Sequence, residues 1–355
     1  MTTRKARIAI IGTGWWATQV HIPAVKANPS AELVALVDTR AEVLEQAALG
    51  TSATPYTDYR EMLAHEQLDG VIVSVHHAAH YEVTRACLEA GLHVLVEKPM
   101  VLYAPEAREL AALAQAKGVE LMIGYSWLHT DVVRKAREIL QSGELGHIQY
   151  VSCLFSSMVI EFLRGNDQTY SKLFKYRVTG PGDVYADPKR SGGGQGQLQV
   201  THAAGSMFYA TGLRAERVSC FMENFDLKVD LADAMTIRFA PVDGVRAVGV
   251  VGSTGNITPG DSGHFEVQVY CEHGRVSIDH HHWQTFVRYA DGREETFKEE
   301  PGDLSGRSSQ NLVDVILGKA ENRAPAEVGV RVVELLDAAY RSSAADGVPV
   351  NVDSL

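Results

Sequence analysis

Short, almost continuous apolar runs alternate with periodic amphipathic stretches over the first third of the chain. The apolar runs predict strands at 7–11, 31–37, 70–75, 93–96 and 120–123. The stretches between them predict helices, among them 41–48, 81–90 and 105–116. Strands that are apolar along their whole length are buried on both faces, as in a parallel sheet covered by helices. The pattern therefore predicts a doubly wound α/β domain over residues 1–124.

After a predicted helix at 131–142 the pattern changes to successive strands. These strands are predicted at 148–156, 217–222, 234–239, 245–251, 265–271 and 285–289. The pairs Asp243-Gly244, His273-Gly274 and Asp291-Gly292 separate several of them and are hairpin signals. Further helices are predicted at 203–211, 309–317 and 328–345. Residues 125–355 are therefore predicted to form a second domain built on an antiparallel sheet, whose C-terminal helix is able to pack back on the first domain.

Composition adds few constraints. A length of 355 residues is typical of two domains, and a net charge of −11 counts against a nucleic acid or an anionic membrane as partner. The four cysteines form no CxxC pair, which favours buried thiols in a reducing compartment. No apolar stretch approaches the roughly 20 residues that span a bilayer, and the first apolar run is too short for a signal peptide. We expect a soluble, cytoplasmic protein.

A glycine motif follows the first predicted strand. Gly12, Gly14 and Ala17 fill the G-x-G-x-x-[GA] positions, and the second strand ends at an acid, Asp38, 24 residues after Gly14. The first glycine permits a tight turn, the second lets the backbone approach a pyrophosphate, and the helix N-terminus offers free amides to phosphate. The motif in this context predicts a dinucleotide site.

The acid favours NAD over NADP, because Asp38 is expected to accept from both adenosine ribose hydroxyls and to repel a 2′-phosphate. Arg40, two residues on, leaves NADP open, and a simple helix N-cap is the other interpretation of Asp38. The adjacent Trp15 and Trp16 either seal the domain cleft or form a wall of the cofactor site.

Two further motifs carry chemistry. Glu97-Lys98-Pro99 directly follows the strand at 93–96, and this strand-end context indicates a positioned cation. His202 follows the run Gly192-Gly193-Gly194. Removing hydride from an alcohol also requires a base for the hydroxyl proton and a positive group for the alkoxide. An imidazole with a pKa of ~6.5 suits the first task, and the lysine suits the second. A core histidine and an interdomain salt bridge are the structural alternatives.

These motifs together carry a family resemblance. They are Gly12-Thr13-Gly14, Asp38, the segment Val73-Ser74-Val75-His76-His77 with His80, Glu97-Lys98-Pro99, and Gly192-Gly193-Gly194 with His202. The chain resembles the Gfo/Idh/MocA family, the glucose–fructose oxidoreductase and inositol dehydrogenase group, over nearly its whole length. The resemblance implies an N-terminal Rossmann domain and a C-terminal α/β domain with an open, mostly antiparallel sheet. It also implies a homodimer or homotetramer formed through that sheet, and a sugar, polyol or pyranoside bound between the domains.

The resemblance also assigns residues. The loop Ser74 to His77 is expected near the nicotinamide ribose, and Lys98 near the reacting hydroxyl. The expected cofactor-binding residues are Gly12, Thr13, Gly14, Trp15, Trp16, Asp38, Arg40, Ser74, Val75, His76, His77, His80, Glu97 and Lys98. The expected substrate-binding residues are Lys98, Tyr125, His129, Tyr185, Gln199, Thr201 and His202, with Lys98 and His202 as the catalytic pair.

The sequence departs from the family at Leu198, where an aspartate often stands four residues before the histidine. Gln199 and Thr201 are then the polar residues left to hold substrate. Either the proton relay is simpler than in relatives, or a carboxylate comes from elsewhere, with Asp183 and Asp187 as candidates.

A second departure follows Gly124, where the segment Tyr125-Ser126-Trp127-Leu128-His129 lacks the asparagine and the arginine that are frequent in the family. Tyr125 and His129 are expected to contact a sugar ring, with Trp127 stacked on it, or else to pack in a turn. The basic segment 172–190, which contains Tyr185, is either a solvated loop or an anion site for a carboxylated or sulfonated sugar.

The histidine clusters His76-His77-x-x-His80 and His280-His281-His282 do not predict a metal site, because the first matches the cofactor loop and the second alternates across a strand. The leading hypothesis is an NAD-dependent sugar or polyol dehydrogenase. A redox glycosidase is the alternative, which oxidises a glycoside, eliminates the aglycone, adds water and returns the hydride. It requires a base for the ring proton, with Tyr125, Tyr185 and His129 as candidates. A nucleotide-binding regulator without turnover is the third hypothesis.

Overall fold

The structure is a computed structural model that describes residues 4–166, 169 and 182–355. Its first sheet has six parallel strands in the order β3-β2-β1-β4-β5-β6. These strands are Ala6–Ile11 (β1), Ala31–Val37 (β2), Thr54–Tyr56 (β3), Gly70–Val73 (β4), His93–Val96 (β5) and Leu121–Ile123 (β6). This order confirms the doubly wound Rossmann prediction, and it places a crevice at the carboxyl ends of β1 and β4. The short strand β3 was not predicted.

The helices that follow these strands cover both faces of the sheet. They are Ile22–Ala27 (α1), Ala41–Ala48 (α2), Tyr59–His65 (α3), His80–Glu89 (α4) and Ala104–Lys117 (α5), with a π-helical turn at Ala17–His21 before α1. The central strands are buried along their length, as their apolar sequence requires.

The second sheet has nine strands in the order β14-β13-β12-β11-β7-β10-β9-β8-β15. They are Ile148–Ser156 (β7), Ala215–Glu223 (β8), Ala232–Phe239 (β9), Val248–Thr254 (β10), His264–Cys271 (β11), Gly274–Asp279 (β12), Gln284–Tyr289 (β13), Glu294–Lys298 (β14) and Val350–Asn351 (β15). Only β7 and β10 pair in parallel, which confirms a mostly antiparallel sheet.

Helices pack on the inner face of this sheet. They include Asp131–Gln141 (α6), Thr201–Thr211 (α9) and Ala326–Ala344 (α11). The short helices Ile160–Leu163 (α7) and Pro188–Ser191 (α8) lie nearer the crevice, and Arg307–Ile316 (α10) returns to the first sheet, where Leu312 and Val313 join its core. The outer face alternates in burial and leaves Leu154, Phe221 and Tyr270 exposed.

The last long helix also ties the two sheets together. Glu334 on α11 is 2% exposed and accepts from Arg108 on α5 and from Arg214 at the start of β8. The contact of Glu334 with Arg108 crosses between the two predicted domains, whereas its contact with Arg214 lies within the second domain. In the part of the chain that the structure describes, no helix combines the length and apolar character needed to cross a bilayer.

Candidate active site

A cavity of about 950 Å³ lies in the crevice and takes its walls from both domains. Its lining includes, from the first domain, Gly12, Gly14, Trp15, Trp16, Asp38, Arg40, Ser74, Val75, His76, His77, His80, Glu97 and Lys98. From the second domain it includes Ser126, Trp127, Val159, Phe162, Tyr185, Arg190, Leu198, Gln199 and His202. The fold thus brings together most of the residues that the sequence analysis selected.

The glycine turn after β1 has the shape that a dinucleotide requires. Gly12 has a φ of +91°, and a Cβ there would lie 2.3 Å from the carbonyl oxygen of Ser74, so only glycine fits. A Cβ on Gly14 would meet nothing within 4 Å. The second glycine is therefore not required by the fold, and the open space beside it suits the close approach of a pyrophosphate.

Asp38 lies just beyond β2 and is buried under Arg40. Its carboxylate accepts from the amide and hydroxyl of Thr13 (3.0 and 3.1 Å) and from the amide, Nε and Nη2 of Arg40 (3.0, 2.9 and 3.0 Å). Burial alone would raise the pKa of Asp38, but the hydrogen bonds and charge of Arg40 with the Thr13 amide outweigh it and lower the pKa. The N-cap position of α2 is Arg40 itself, so Asp38 is not a simple helix cap.

The carboxylate of Asp38 has about four acceptor positions, and its neighbours already use them. The Arg40 side chain is 60% exposed and free to swing aside. A ribose hydroxyl therefore competes with Arg40 for Asp38, while the guanidinium stands beside the position that separates NAD from NADP.

Trp15 contacts the second domain, Trp16 contacts the lysine motif, and both line the cavity. Trp16 donates through Nε1 to Oε1 of Glu97 at 3.0 Å. Trp15 stacks on Phe162 of α7 at a centroid distance of 6.2 Å, and both rings line the cavity. The sealing and lining roles proposed from the sequence are compatible in this arrangement.

The loop after β4 is held by its histidines. His77 Nδ1 contacts the carbonyl oxygen of Ser191 at 2.8 Å, and His80 Nδ1 contacts that of Pro99 at 2.7 Å. Burial lowers the pKa of both imidazoles. They fix the loop beside the lysine motif, while His76 stays partly exposed to the cavity.

Glu97 anchors the lysine motif from the inside. Its Oε1 interacts with Trp16 and with His21 Nε2 at 3.0 Å, and its Oε2 accepts from the amide of Lys98 at 3.2 Å. A Cβ on Gly124 would lie 2.6 Å from the same carboxylate, so glycine is required there. Burial acts to raise the pKa of Glu97, but the hydrogen bond and charge of His21 and the charge of Lys98 outweigh it and lower the pKa.

Lys98 is partly buried, and its peptide bond to Pro99 is cis. Burial lowers the pKa of its ammonium to about 8, although Glu97 opposes this effect. Its Nζ donates to the main-chain carbonyl of Leu198 at 3.0 Å. The lysine is therefore a directed cation that bridges the two domains.

His202 is the second residue of α9. Burial, followed by the charge of Lys98 and by His280, lowers its pKa well below the ordinary value, so the ring is neutral at neutral pH. Its buried Nδ1 has no hydrogen-bond partner within the residues that the structure describes. A neutral imidazole on the cavity wall is available to accept a proton.

Leu198 lies in a π-helical turn, Gly196–Val200, that leads directly into α9. The turn places Leu198 and Gln199 on the cavity wall. Asp183 accepts from Arg190, and Asp187 caps α8 by accepting from the Lys189 amide. Neither aspartate is among the lining residues, so the structure places neither carboxylate on the cavity wall.

Three of the expected substrate contacts also lie behind the wall. Tyr125 is 1% exposed, and its hydroxyl pairs with the Thr201 hydroxyl at 3.2 Å. His129 is 5% exposed, and its Nε2 pairs with the Ser308 hydroxyl at 3.3 Å. The 3₁₀ turn Ser126–His129 instead turns Trp127 toward the cavity. The prediction placed Tyr125, His129 and Thr201 at the substrate, and the structure packs them in the core.

Tyr185 does line the cavity, with its ring 5.7 Å from that of His77. Burial raises its pKa to about 12. Arg190 also lines the cavity. Of the other basic residues in segment 172–190, Lys189 does not line the cavity, and Lys172, Lys175 and Arg177 lie outside the described residues. Across the described ranges no three His, Cys, Asp or Glu side chains converge as a metal site.

Two family models match the chain. Residues 6–125 match the oxidoreductase family with an NAD-binding Rossmann fold, GFO_IDH_MocA. Residues 133–277 match the GFO/IDH/MocA C-terminal domain. The cavity thus lies between an NAD-binding domain and the domain that accompanies it in that family.

Individual relatives agree with this assignment. The chain is 29% identical over 150 residues to dTDP-3,4-didehydro-2,6-dideoxy-alpha-D-glucose 3-reductase of Actinomadura kijaniata. The matched region covers 42% of this chain and 45% of the relative. The chain is also 27% identical over 172 residues to the NADP(+) D-xylose 1-dehydrogenase of Haloarcula marismortui, which covers 47% and 48%. The chain spans about half the length of the curated relatives it matches.

Solved structures agree over the whole fold. The inositol dehydrogenase homolog of Azotobacter vinelandii, complexed with NAD+, superposes with a TM-score of 0.81 at 20% identity, covering 98% of this chain and 97% of the other. The WlbA dehydrogenase of Bordetella pertussis, in complex with NADH and UDP-GlcNAcA, gives 0.74 at 21% identity, covering 98% and 99%. At these identities the likeness shows the shared fold.

Proposed function

Because the chain belongs to the Gfo/Idh/MocA family of NAD-binding oxidoreductases, we propose that it oxidises a secondary hydroxyl of a sugar, polyol or pyranoside. One observation carries the proposal. Lys98 and His202 come from different domains, line the same cavity as the glycine turn, and are near enough for the lysine charge to lower the histidine pKa. A cation and a neutral base beside a nicotinamide site are the two groups that alcohol oxidation requires.

The charge states of Lys98 and His202 decide which role each residue has in the proposed reaction. The bound nicotinamide supplies a hydride acceptor. His202, neutral at neutral pH, takes the hydroxyl proton, and the Lys98 ammonium stabilises the negative charge that develops on the same oxygen. Gln199 holds a neighbouring hydroxyl, and Trp127 offers an apolar ring face to the substrate. Asp38 favours NAD as the cofactor.

The redox glycosidase receives less support from the site. Of its three candidate bases, Tyr125 and His129 are packed behind the wall. Tyr185 lines the cavity, but a pKa of about 12 makes it a poor base at neutral pH. The dehydrogenase requires no further base than His202.

A substrate panel tests the proposal. Free sugars, polyols, uronic acids, glycosides and nucleotide-linked sugars are incubated with NAD, and both NADH and released aglycone are measured. Net NADH with one class of sugar is expected. Aglycone release that requires NAD but yields no net NADH would favour the glycosidase, and tight NAD binding without any turnover would favour the regulator.

Variants then test the residues. Lys98→Ala and His202→Ala are each expected to lower kcat by 10²-fold or more. Lys189→Ala is the matched control, because Lys189 is exposed on α8 and lies outside the cavity lining. Normal turnover by Lys98→Ala would remove the centre of the proposed mechanism.

We also propose a homodimer or homotetramer formed through the outer face of the second sheet. Leu154, Phe221 and Tyr270 are 45%, 58% and 38% exposed there, and a monomer gains nothing from exposing such side chains on one face. Light scattering of the full chain tests this, and a monomer at micromolar concentration would contradict it.

A further inference from the structure

Asp230 is a buried acid that lies outside the cavity. It accepts hydrogen bonds from backbone amides in and next to the glycine run. It is 3% exposed and lies two residues before the start of β9. Its Oδ1 accepts from the Gly194 amide at 2.6 Å and from the Tyr340 hydroxyl at 2.8 Å, and its Oδ2 accepts from the Gly196 amide at 2.7 Å. Its main-chain oxygen accepts from the Gln195 amide at 2.9 Å. Three consecutive amides therefore end on one residue.

The close packing around Asp230 explains why residues 193 and 194 are glycines. A Cβ on Gly194 would lie 2.0 Å from the main-chain oxygen of Asp230, and a Cβ on Gly193 would lie 2.0 Å from the Tyr340 hydroxyl. Neither glycine has a positive φ. They are small because Asp230 and Tyr340 approach closely, rather than because the backbone conformation demands glycine.

The amides held by Asp230 lie at the beginning of the π-helical turn Gly196–Val200, which contacts Lys98. The Leu198 amide donates to the carbonyl of Gly194 at 2.8 Å, and the Thr201 amide donates five residues back to Gly196. Within this wide turn the Leu198 carbonyl accepts from Lys98 Nζ at 3.0 Å. A π-helical turn of this kind often marks a functional site.

We propose that Asp230 is a positioning residue, which fixes the π-helical turn so that the Leu198 carbonyl holds the Lys98 ammonium and His202 follows at the start of α9. The inference deepens the proposed function and relies on it for the role of Lys98. A main-chain acceptor, held from behind by Asp230, thereby directs the Lys98 ammonium at a position where the side chain, Leu198, is apolar.

Asp233 provides a matched comparison. It is 5% exposed, lies three residues after Asp230, and accepts from the Ser253 hydroxyl. Burial, the neighbouring charge of Asp230 and a side-chain hydrogen bond with Asp230 raise its pKa well above the ordinary value. Asparagine at position 233 can still accept from the Ser253 hydroxyl, whereas asparagine at position 230 cannot accept from all three donors around Asp230.

The test is the ionisation of Lys98 in the full chain, measured without substrate. Amine acylation of Lys98 is followed by peptide mass spectrometry from pH 6 to pH 10, together with the Tm of each protein. The wild type is expected to titrate near 8. In Asp230→Asn the buried ammonium loses its carbonyl acceptor, and the apparent pKa is expected to fall by about one unit. Asp233→Asn is expected to titrate as the wild type does.

An unchanged Lys98 pKa in Asp230→Asn would overturn the inference. So would a rise toward the ordinary lysine pKa with a lowered Tm, because that result indicates a loosened cavity and a merely structural role. Tyr340→Phe is a milder perturbation that leaves both amides in place, and a smaller fall in the same direction is expected. If Asp230→Asn does not fold, an unshifted Tyr340→Phe overturns the inference.

The outcome is separable from that of the proposed function. Should Lys98→Ala retain turnover, the catalytic role of the lysine fails whatever the titration shows. Should Lys98→Ala lose turnover while Asp230→Asn leaves the lysine unshifted, the function stands and the positioning role fails.

Discussion

Gly12 and Gly14 of the nucleotide turn differ in the space around them. Replacing each by alanine therefore distinguishes an effect on folding from an effect on cofactor binding. A Cβ on Gly12 would lie 2.3 Å from the Ser74 carbonyl oxygen and 2.9 Å from the Val75 amide nitrogen. Ordinary contacts begin about 1 Å further out, and the φ of +91° adds strain for any residue with a Cβ. Overpacking and strain each cost roughly 1–3 kcal/mol, so Gly12→Ala is expected to lose about 2–6 kcal/mol of unfolding free energy.

Gly14→Ala is expected to behave differently. No atom lies within 4 Å of the new methyl group, so the Tm is expected to stay within about 2 °C of the wild type. The methyl group enters the space that a pyrophosphate requires, and the Kd for NADH is expected to rise at least tenfold, which is about 1.4 kcal/mol.

Thermal unfolding and NADH fluorescence titration measure the two effects on the same proteins. Gly12→Ala is expected to lower the Tm by several degrees, and Gly14→Ala to weaken binding without lowering the Tm. Unchanged NADH affinity in Gly14→Ala would refute the placement of the pyrophosphate, and an unchanged Tm in Gly12→Ala would refute the steric argument.

Two further predictions concern charge. In the proposed mechanism oxidation uses the Lys98 cation, which is present below a pKa of about 8, so kcat/KM is expected to fall as pH rises above 8. Lys98→Arg keeps its charge and is expected to shift that fall above pH 10. A rate that rises through pH 8 would instead make the neutral lysine a base. Arg40→Ala removes the donor that competes for Asp38, so the ratio of NADP to NAD Kd values is expected to increase about tenfold, and an unchanged ratio would contradict the role of Arg40.

The sequence was a good guide wherever local pattern decides structure. The central strands of the first sheet are apolar along their length because both faces are buried, so their positions could be predicted. The edge strand β3 could not be predicted in this way. It has three residues with proline at its centre, and Thr54 and Pro55 are exposed, so neither apolar pattern nor length marks it.

The site was predictable where a motif fixes the backbone and less so where a turn decides direction. The glycine turn and the lysine motif each directly follow a strand, which fixes their position, and both line the cavity. Tyr125, Trp127 and His129 lie in one short turn, and only its 3₁₀ conformation decides that Trp127 faces the cavity while its neighbours pack inward. His21, which meets Glu97 from a π-helical turn, carried no sequence signal at all.

The missing aspartate shows most clearly what a sequence leaves out. Side-chain chemistry directed the search for a carboxylate in the proton relay to Asp183 and Asp187, because a leucine at position 198 offers no polar side chain. Every residue also carries a main-chain carbonyl, and a π-helical turn aims the one at Leu198 toward the lysine. A neutral carbonyl supports the ammonium less strongly than a carboxylate does, and it cannot accept a proton at neutral pH. Burial lowers the pKa of Lys98 to about 8, and in the proposed mechanism His202 accepts the substrate proton. If this reasoning is right, replacing the side chain at position 198 by another apolar one should matter less to the lysine than disturbing the backbone anchor behind it.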